Sequence, residues 1–268
     1  MLEVEHLRAW YGHTQALFDV SFSLPTGGCV ALVGTNGAGK TTTLRAVLGL
    51  VRSQGSVRID GQEVSGKQTH RRIQDHGVAV VHEGRGLLKD LTVRENLVVG
   101  NKAAARSGVS AAVDLFPALK DRLSERVSNL SGGQQQMVAL GRAVLRQPQY
   151  VLLDEPSLGL APSVVDEIYR YLAVLRETGL TMLLVEQSVP RATSIADRLC
   201  LLRTGATALD VDASDPAAVE HLMATAFSAE GAAPATAPTA ASATTATTTA
   251  QRSGAQPLPT APGTDGSS

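Results

Sequence analysis

Cysteine is scarce in this sequence, with only Cys29 and Cys200 among 268 residues. The two lie far apart inside apolar segments, and neither forms a CxxC pair or a Cys/His cluster with metal-ligand spacing. This argues against a cysteine-based metal site. Because free cysteine is one of the most buried residue types, we expect both side chains to fill the core.

The sequence also lacks a long apolar run and an excess of charge of one sign. No stretch approaches the roughly 18 to 20 residues that cross a bilayer, and the acidic start MLEVEHL has neither the basic nor the apolar region of a signal peptide. Lys plus Arg number 24 and Asp plus Glu 25, so no basic surface indicates nucleic acid as a partner. We expect a globular protein that stays in the cytosol.

Strand and helix patterns alternate along most of the chain. The segments LEVEHLRAWY, ALFDVSFSL, CVALVG, GSVRID, GVAVV, YVLLD, TMLLV and RLCLL are typical of β-strands. Helices are predicted from Gly39, across much of residues 91–146, and from Pro162 to about Thr178. This alternation predicts an α/β fold with a parallel sheet covered on both faces.

Composition predicts the domain boundaries. The helical stretch of about 91–146 interrupts the alternation and is predicted to be an inserted α-helical subdomain within a domain of residues 1–228. Residues 229–268 are mostly Ala, Thr, Pro, Ser and Gly, which bury too little to offset the entropy lost on ordering. They are predicted to form a disordered tail, with a docking segment as the alternative.

A phosphate-binding loop is predicted at GTNGAGKT, which fits G-x-x-x-x-G-K-[ST] between an apolar strand and a helix. Glycines let backbone N–H groups turn toward phosphates, and the helix N-terminus adds its dipole. Lys40 would reach the β- and γ-phosphates, and Thr41 would bind magnesium; a chance Gly-rich turn is the alternative. The predicted phosphate-binding residues are Gly34, Thr35, Asn36, Gly37, Ala38, Gly39, Lys40, Thr41 and Thr42.

Two acidic residues follow the apolar strand YVLLD. Asp154 at the strand end can hold magnesium. Glu155 comes next and can orient and polarise a water for attack on the γ-phosphate, which is the work of a general base. An acidic pair that simply ends a strand is the alternative. Combined with the phosphate-binding loop, the pair predicts a nucleotide hydrolase.

A third motif, NLSGGQQQM, lies between the phosphate-binding loop and Asp154. Ser131 and Gln134 have capping-box spacing, so a plain helix start is one interpretation. Gly132 and Gly133 within the first turn each cost about 1 kcal/mol of helix stability, which indicates that the backbone closely approaches another group.

These motifs together resemble ATP-binding cassette (ABC) ATPases over about Leu2 to Met223. The resemblance implies a P-loop NTPase fold with a RecA-like mixed sheet core, an N-terminal antiparallel β-subdomain and an inserted helical subdomain. It implies that Ser131–Gln134 of one subunit contacts the ATP held by another in a head-to-tail dimer. It also implies that Tyr11 stacks on adenine, with simple packing at a strand end as the alternative.

Two positions depart from the usual ABC pattern. Glu83 stands where the family carries a glutamine that contacts magnesium, and a carboxylate can keep that role. Gln187 stands where the family carries a histidine at the γ-phosphate; its amide can donate a hydrogen bond but cannot carry a charge. The segment SLGL, Ser157 to Leu160, also lacks the aspartate that the family carries in this loop.

With EGRGL, LTVRENL, SLGLAP and VEQ, the pattern is similar to one ATPase subunit of branched-chain amino acid importers and of the related urea importers. The resemblance implies an ATPase that uses ATP and Mg²⁺ at the cytoplasmic face of the membrane. Its partners would be a second ABC ATPase subunit, in a heterodimer or alternatively a homodimer, two membrane permeases and, indirectly, an extracytoplasmic solute-binding protein. Two further alternatives are a soluble ABC protein that acts on ribosomes or DNA, and a catalytically weak ATP-binding subunit.

Overall fold

Strands and helices alternate through the residues that the computed structural model describes, which are 1–101 and 108–228. The strands are β1 (Leu2–Tyr11), β2 (Thr14–Leu24), β3 (Cys29–Val33), β4 (Arg52–Ile59), β5 (Gln62–Glu63), β6 (Val78–Val81), β7 (Tyr150–Asp154), β8 (Thr181–Glu186), β9 (Arg198–Arg203) and β10 (Ala206–Asp212). The helices are α1 (Lys40–Val47), α2 (Thr69–Asp75), α3 (Val93–Val98), α4 (Ser110–Leu115), α5 (Gly132–Val144), α6 (Pro162–Glu177), α7 (Val189–Thr193) and α8 (Pro216–Phe227), with 3₁₀ turns at Pro117–Arg122 and Val127–Asn129.

All ten strands form one sheet in the order β5-β4-β1-β2-β10-β9-β3-β8-β7-β6. The five strands from β9 to β6 are parallel. The strands β5, β4, β1 and β2 form antiparallel pairs, and β10 joins the two parts by pairing with β2 and β9. The predicted α/β fold and antiparallel N-terminal strands are confirmed.

The central strands are apolar on both faces because helices cover them. Every residue of β3, β7 and β8 is buried. Cys29 and Cys200 are buried, as predicted, and burial raises the pKa of each thiol to about 12. Neither thiol is therefore ionised at neutral pH.

The helix α6 illustrates how local signals set an element. Pro162 occupies the first turn, and Gly179 follows the end of the helix with a φ of 82°, a conformation that glycine adopts without strain. The apolar positions spaced along one face, Val165, Ile168 and Leu172, are buried. The predicted helix and its packing face are confirmed.

The stretch 91–146 contains α3, α4, both 3₁₀ turns and α5. The α3 helix begins with a capping box, in which Thr92 accepts from the Glu95 N–H and Glu95 accepts from the Thr92 N–H. Buried Asn96 donates to the carbonyls of Leu88 and Thr92, which fixes the preceding loop. Residues 102–107 and the predicted tail, 229–268, lie outside the described residues, and Met1–Ser228 forms one unit.

Candidate functional site

The predicted site residues follow four neighbouring parallel strands. Val33 pairs with Glu186, Asp154 with Val185, and Val81 with Leu153. The residues immediately after β3, β6, β7 and β8 therefore meet at the carboxyl edge of the sheet, where open α/β sheets bind ligands. This edge brings together the phosphate-binding loop, Glu83 and Glu155.

The glycines of the loop are required by their backbone conformation and surroundings. Gly34 has a φ of 153°, and a Cβ there would lie 2.5 Å from the Leu202 carbonyl oxygen. Gly39 has a φ of 107°, and a Cβ there would lie 2.7 Å from a methyl group of Leu17. Gly39 also precedes α1 without a side-chain cap, so the first N–H groups of α1 are available to an anion.

Lys40 is buried and holds its ammonium group within the loop. Its Nζ donates to the carbonyls of Gly34 and Thr35 at 3.0 and 3.2 Å and lies 3.3 Å from Glu155 Oε1. A buried cation needs such partners to offset its lost hydration. The same ammonium is therefore positioned for a phosphate that would replace them.

Thr41, Asp154 and Glu83 offer oxygen atoms to a divalent cation. The Thr41 hydroxyl donates to Asp154 Oδ1 at 2.9 Å. Burial and the nearby charges of Glu155 and Glu83 raise the pKa of Asp154, against the lowering effect of the Thr41 hydrogen bond. A cation would relieve this repulsion, and carboxylate and hydroxyl oxygens are the ligands that Mg²⁺ takes. The residues present therefore fit magnesium.

Glu155 lies at the turn where the chain leaves β7. Its φ is 46°, a conformation that non-glycine residues adopt at a cost of about 1–3 kcal/mol and that clusters at functional sites. The Glu155 N–H donates to the Val185 carbonyl at 3.0 Å. The carboxylate is thereby kept beside Lys40, at the wall of the cleft.

A cleft of about 540 Å³ surrounds these groups. Its lining includes the predicted residues Asn36, Gly37, Gly39, Lys40, Thr41, Thr42, Glu83 and Glu155, and also Gln15, Ala16, Phe18, Leu158, Thr204 and Gly205. The sequence interpretation missed the second set. No local signal marks them: Phe18 falls in the alternating series with Val20, Phe22 and Leu24, which are buried, yet Phe18 itself is 48% exposed.

Tyr11 lies near the loop but does not line the cleft. Its hydroxyl is 3.5 Å from Thr42 Oγ1 and accepts a hydrogen bond from Arg45 at 3.3 Å. Tyr11 is 42% exposed, so part of the residue is open to solvent.

Two further predicted elements do not line this cleft. Ser131 begins α5 with a full capping box to Gln134, and none of Ser131–Gln134 lines the cleft. A Cβ at Gly133 would lie 2.2 Å from Val164 Cγ1. Packing against Val164 of the same chain is therefore one reason why this position requires glycine. Gln187 is exposed and follows Glu186, whose partner Val33 precedes the phosphate-binding loop.

The comparisons with known proteins agree with this geometry. Residues 17–158 match the family described as "ABC transporter". The chain is 41% identical over 210 residues to the high-affinity branched-chain amino acid transport ATP-binding protein BraG of Pseudomonas aeruginosa, covering 76% of this chain and 90% of that protein. It is 34% identical over 221 residues to a probable branched-chain amino acid transport ATP-binding protein, LivF, of Archaeoglobus fulgidus, covering 80% and 93%.

A solved nucleotide-free ATP-binding cassette from an ABC transporter has the same fold, with a TM-score of 0.74 at 22% identity over 84% of this chain and 95% of that chain. The chain belongs to the ABC transporter family. It is the ATP-binding subunit, and the predicted ABC-type P-loop fold and ATPase class are confirmed. None of the helices described in 1–101 and 108–228 is long and apolar enough to cross a membrane.

In this ABC subunit the loop after Glu83 is fastened to the helix that follows Ser131. Arg85 donates through Nε to Gln136 Oε1 at 3.1 Å, and Arg142 donates to the Arg85 carbonyl at 3.1 Å. Gln136 and Arg142 both belong to α5. These two contacts tie the loop to α5, the helix that Ser131 caps.

Proposed function

We propose that the chain is the motor subunit of an importer for branched-chain or other small amino acids, and that it binds and hydrolyses ATP with Mg²⁺. The observation that carries the enzymatic part is the cleft that gathers Lys40, Thr41, Glu83 and Glu155 at one sheet edge, with Asp154 bonded to Thr41. The amino acid part is supported by the 41% and 34% identity to branched-chain amino acid transport proteins.

The phosphate-binding loop amides and Lys40 hold the β- and γ-phosphates. The entering phosphate replaces the Gly34 and Thr35 carbonyls as partner of the Lys40 ammonium and weakens its 3.3 Å pairing with Glu155. Glu155 then accepts a proton from the attacking water. Thr41, Asp154 and Glu83 form the magnesium shell, and Mg²⁺, when bound, neutralises charge on the phosphates.

Tyr11 stacks on adenine and Gln187 donates its amide to the γ-phosphate. The exposed ring of Tyr11 beside Thr42 supports the first role. The position of Gln187 one residue beyond the Val33–Glu186 pair supports the second. The residues of the capped helix start act on the ATP of a second ABC ATPase subunit: Ser131, Gly132, Gly133 and Gln134. None of them lines the cleft of its own chain.

Two permeases convert closure and reopening of the ATPase pair into import, and an extracytoplasmic solute-binding protein supplies the solute. A second cleft of about 300 Å³, lined by residues that include Leu50, Ile73 and Arg146, supports a docking place for a permease helix. Leu88, in the nearby loop from Glu83 to Asn96, is 47% exposed. Leu88→Asp should lower transport while the Kd for ATP stays unchanged; an equal loss of both would exclude this assignment.

The experiment that tests the proposed function is uptake of labelled leucine and, separately, labelled urea in cells carrying the wild-type chain or Glu155→Gln at matched expression. Loss of leucine uptake alone is expected. Loss of urea uptake alone would keep the mechanism and change the substrate. If neither uptake changes, the amino acid assignment is wrong.

A second candidate is an ATP-binding subunit with weak catalysis, which the neutral amide of Gln187 favours because it cannot supply positive charge to the transition state. Steady-state hydrolysis by the reconstituted importer, with Glu155→Gln in this subunit only, separates the two. A large fall in rate is expected from the proposed function, and an unchanged rate would establish the weak subunit.

A further inference from the structure

A buried carboxylate connects the two loops that follow the neighbouring parallel strands β7 and β8. Glu186, the last residue of β8, is 2% exposed. Its Oε1 accepts from the Ser157 hydroxyl at 2.5 Å, and its Oε2 accepts from the N–H groups of Gln187 and Ser188 at 2.9 and 3.2 Å. Burying a carboxylate costs free energy unless hydrogen-bond donors such as these replace the water that it loses.

The two connected loops are those that carry the groups assigned to hydrolysis. Ser157 lies two residues after Glu155, and Gln187 directly follows Glu186. The Glu155 N–H also donates to the Val185 carbonyl, so the loops are joined by one backbone contact and by the Glu186 carboxylate. Each oxygen of Glu186 accepts from a different loop, which makes the side chain a strut between them. The carboxylate also lies near the hydroxyl of Tyr169 in α6, whose pKa is raised by burial and by the charge of Glu186.

We propose that Glu186 is a positioning residue that fixes Gln187 relative to Glu155 and passes a displacement of Gln187 to the segment Ser157–Leu160. The inference rests on the proposed function, in which Gln187 contacts the γ-phosphate. When Gln187 moves toward the phosphate, the hydrogen bond from its N–H to Glu186 Oε2 moves the carboxylate. The hydrogen bond from Ser157 to Oε1 then moves Ser157 with it. Leu158, in that segment, lines the cleft and is 46% exposed.

A purely local role for Glu186 makes a different prediction. A carboxylate that only caps the turn into α7 would stabilise Gln187 and Ser188, and Ser157 would be an incidental neighbour. Removal of the Ser157 hydroxyl would then leave exchange of the Gln187 and Ser188 amides unchanged. A strut requires that loss of one contact loosens the opposite loop.

The first test uses Ser157→Ala in the full chain, because this variant removes one oxygen atom and leaves Glu186 in place. Hydrogen–deuterium exchange of the peptide containing Gln187 and Ser188 should become faster, because the Glu186 carboxylate that accepts from both N–H groups is no longer held by the Ser157 hydroxyl. The matched control is Ser194→Ala, which removes an exposed hydroxyl that donates to the Arg191 carbonyl. Unchanged exchange in Ser157→Ala would overturn the strut.

The second test measures hydrolysis by the assembled importer. Ser157→Ala should lower kcat by about tenfold, because small misplacements of reacting groups are costly, with the KM for ATP within about twofold because the loop around Lys40 is unchanged. Glu186→Gln should retain most of kcat: its amide oxygen can accept from both N–H groups while its NH₂ donates to Ser157. A parallel loss of kcat and ATP affinity, or an unchanged kcat in Ser157→Ala, would refute the positioning role.

The third test is a double-mutant cycle between Ser157→Ala and Glu186→Ala. Because both changes break the same contact, the double variant should be no slower than Glu186→Ala alone, whereas independent effects would multiply. Multiplying effects would contradict the strut. Glu155→Gln in the same assay distinguishes failure of the positioning role from failure of the proposed function. If Glu155→Gln leaves hydrolysis intact, the proposed function is wrong, whatever the double-mutant cycle shows.

Discussion

Gly133 allows packing and ligand contact to be tested separately. An added Cβ would lie 2.2 Å from Val164 Cγ1 and 3.5 Å from Val164 Cβ. Gly133→Ala therefore forces Val164 or the start of α6 to move, and overpacking of this kind costs about 1–3 kcal/mol. Alanine favours the helix over glycine by about 1 kcal/mol. The free energy of unfolding should fall by about 0–2 kcal/mol.

The double variant Gly133→Ala/Val164→Ala removes the clashing methyl and leaves an ordinary 3.5 Å contact. The gain in helix propensity of about 1 kcal/mol opposes the loss of methyl groups that are only partly buried, each worth at most about 0.8 kcal/mol. Its free energy of unfolding should return to within about 1 kcal/mol of wild type. Urea denaturation of the purified chain measures all three variants, and Val164→Ala alone is the control.

The refuting result is a double variant as unstable as Gly133→Ala, since the clash would then not be the cause. Hydrolysis by the assembled transporter is a second measurement. If Gly133 also approaches the ATP of the partner subunit, the double variant should remain deficient in hydrolysis after its stability is restored. Full recovery of both would limit the role of Gly133 to packing on α6.

Three further outcomes follow from the site and its surroundings. Because burial raises the pKa of Asp154, the folded chain keeps this proton to higher pH than the unfolded chain, and above that range the ionised carboxylate lowers the stability of the fold. Asp154→Asn should therefore raise the Tm at pH 7.5 without nucleotide or Mg²⁺, and raise it by less in mild acid. The same variant should abolish Mg²⁺-dependent hydrolysis. An unchanged or lower Tm at pH 7.5 would contradict the pKa argument. Cys29 and Cys200, with pKa values raised to about 12, should react with iodoacetamide at pH 8 only after denaturant is added, as mass spectrometry can show. Thr92→Ala, which removes the cap of α3, should lower the free energy of unfolding by about 1 kcal/mol, whereas Ser194→Ala, at an exposed hydroxyl, should not.

The strands and the phosphate-binding loop could be predicted because their signals are local. Residues 34–41 lie in one run of sequence, and the strands β7 and β8 each contain an uninterrupted run of four apolar residues. Capping residues and Pro162 likewise act within a turn of their own helix. Such features require no knowledge of which strands pair.

The far wall of the cleft could not be predicted, because it depends on a long-range pairing. β10 joins β2 across the sheet, and Gly205 donates its N–H to the Ala38 carbonyl at 3.0 Å. This contact places Phe18 and Thr204 beside the phosphate-binding loop. Neither residue carries a local motif. The sequence also offered no means of assigning the approach at Gly133 to Val164.

The charge arrangement in the cleft explains how a neutral amide at position 187 is compatible with hydrolysis. Lys40 is paired with Glu155, and burial and the charges of Glu155 and Glu83 disfavour the ionised form of Asp154. Under the proposed function, Mg²⁺ would supply positive charge at Asp154, and a phosphate of the nucleotide would take Lys40 from Glu155. Under the proposed function, Gln187 need only align a hydrogen bond, and the precision of that alignment depends on the Glu186 carboxylate that holds its N–H. A charged residue at position 187 would have to share the same turn with this buried anion, and its positive charge would be partly cancelled before it reached the phosphate.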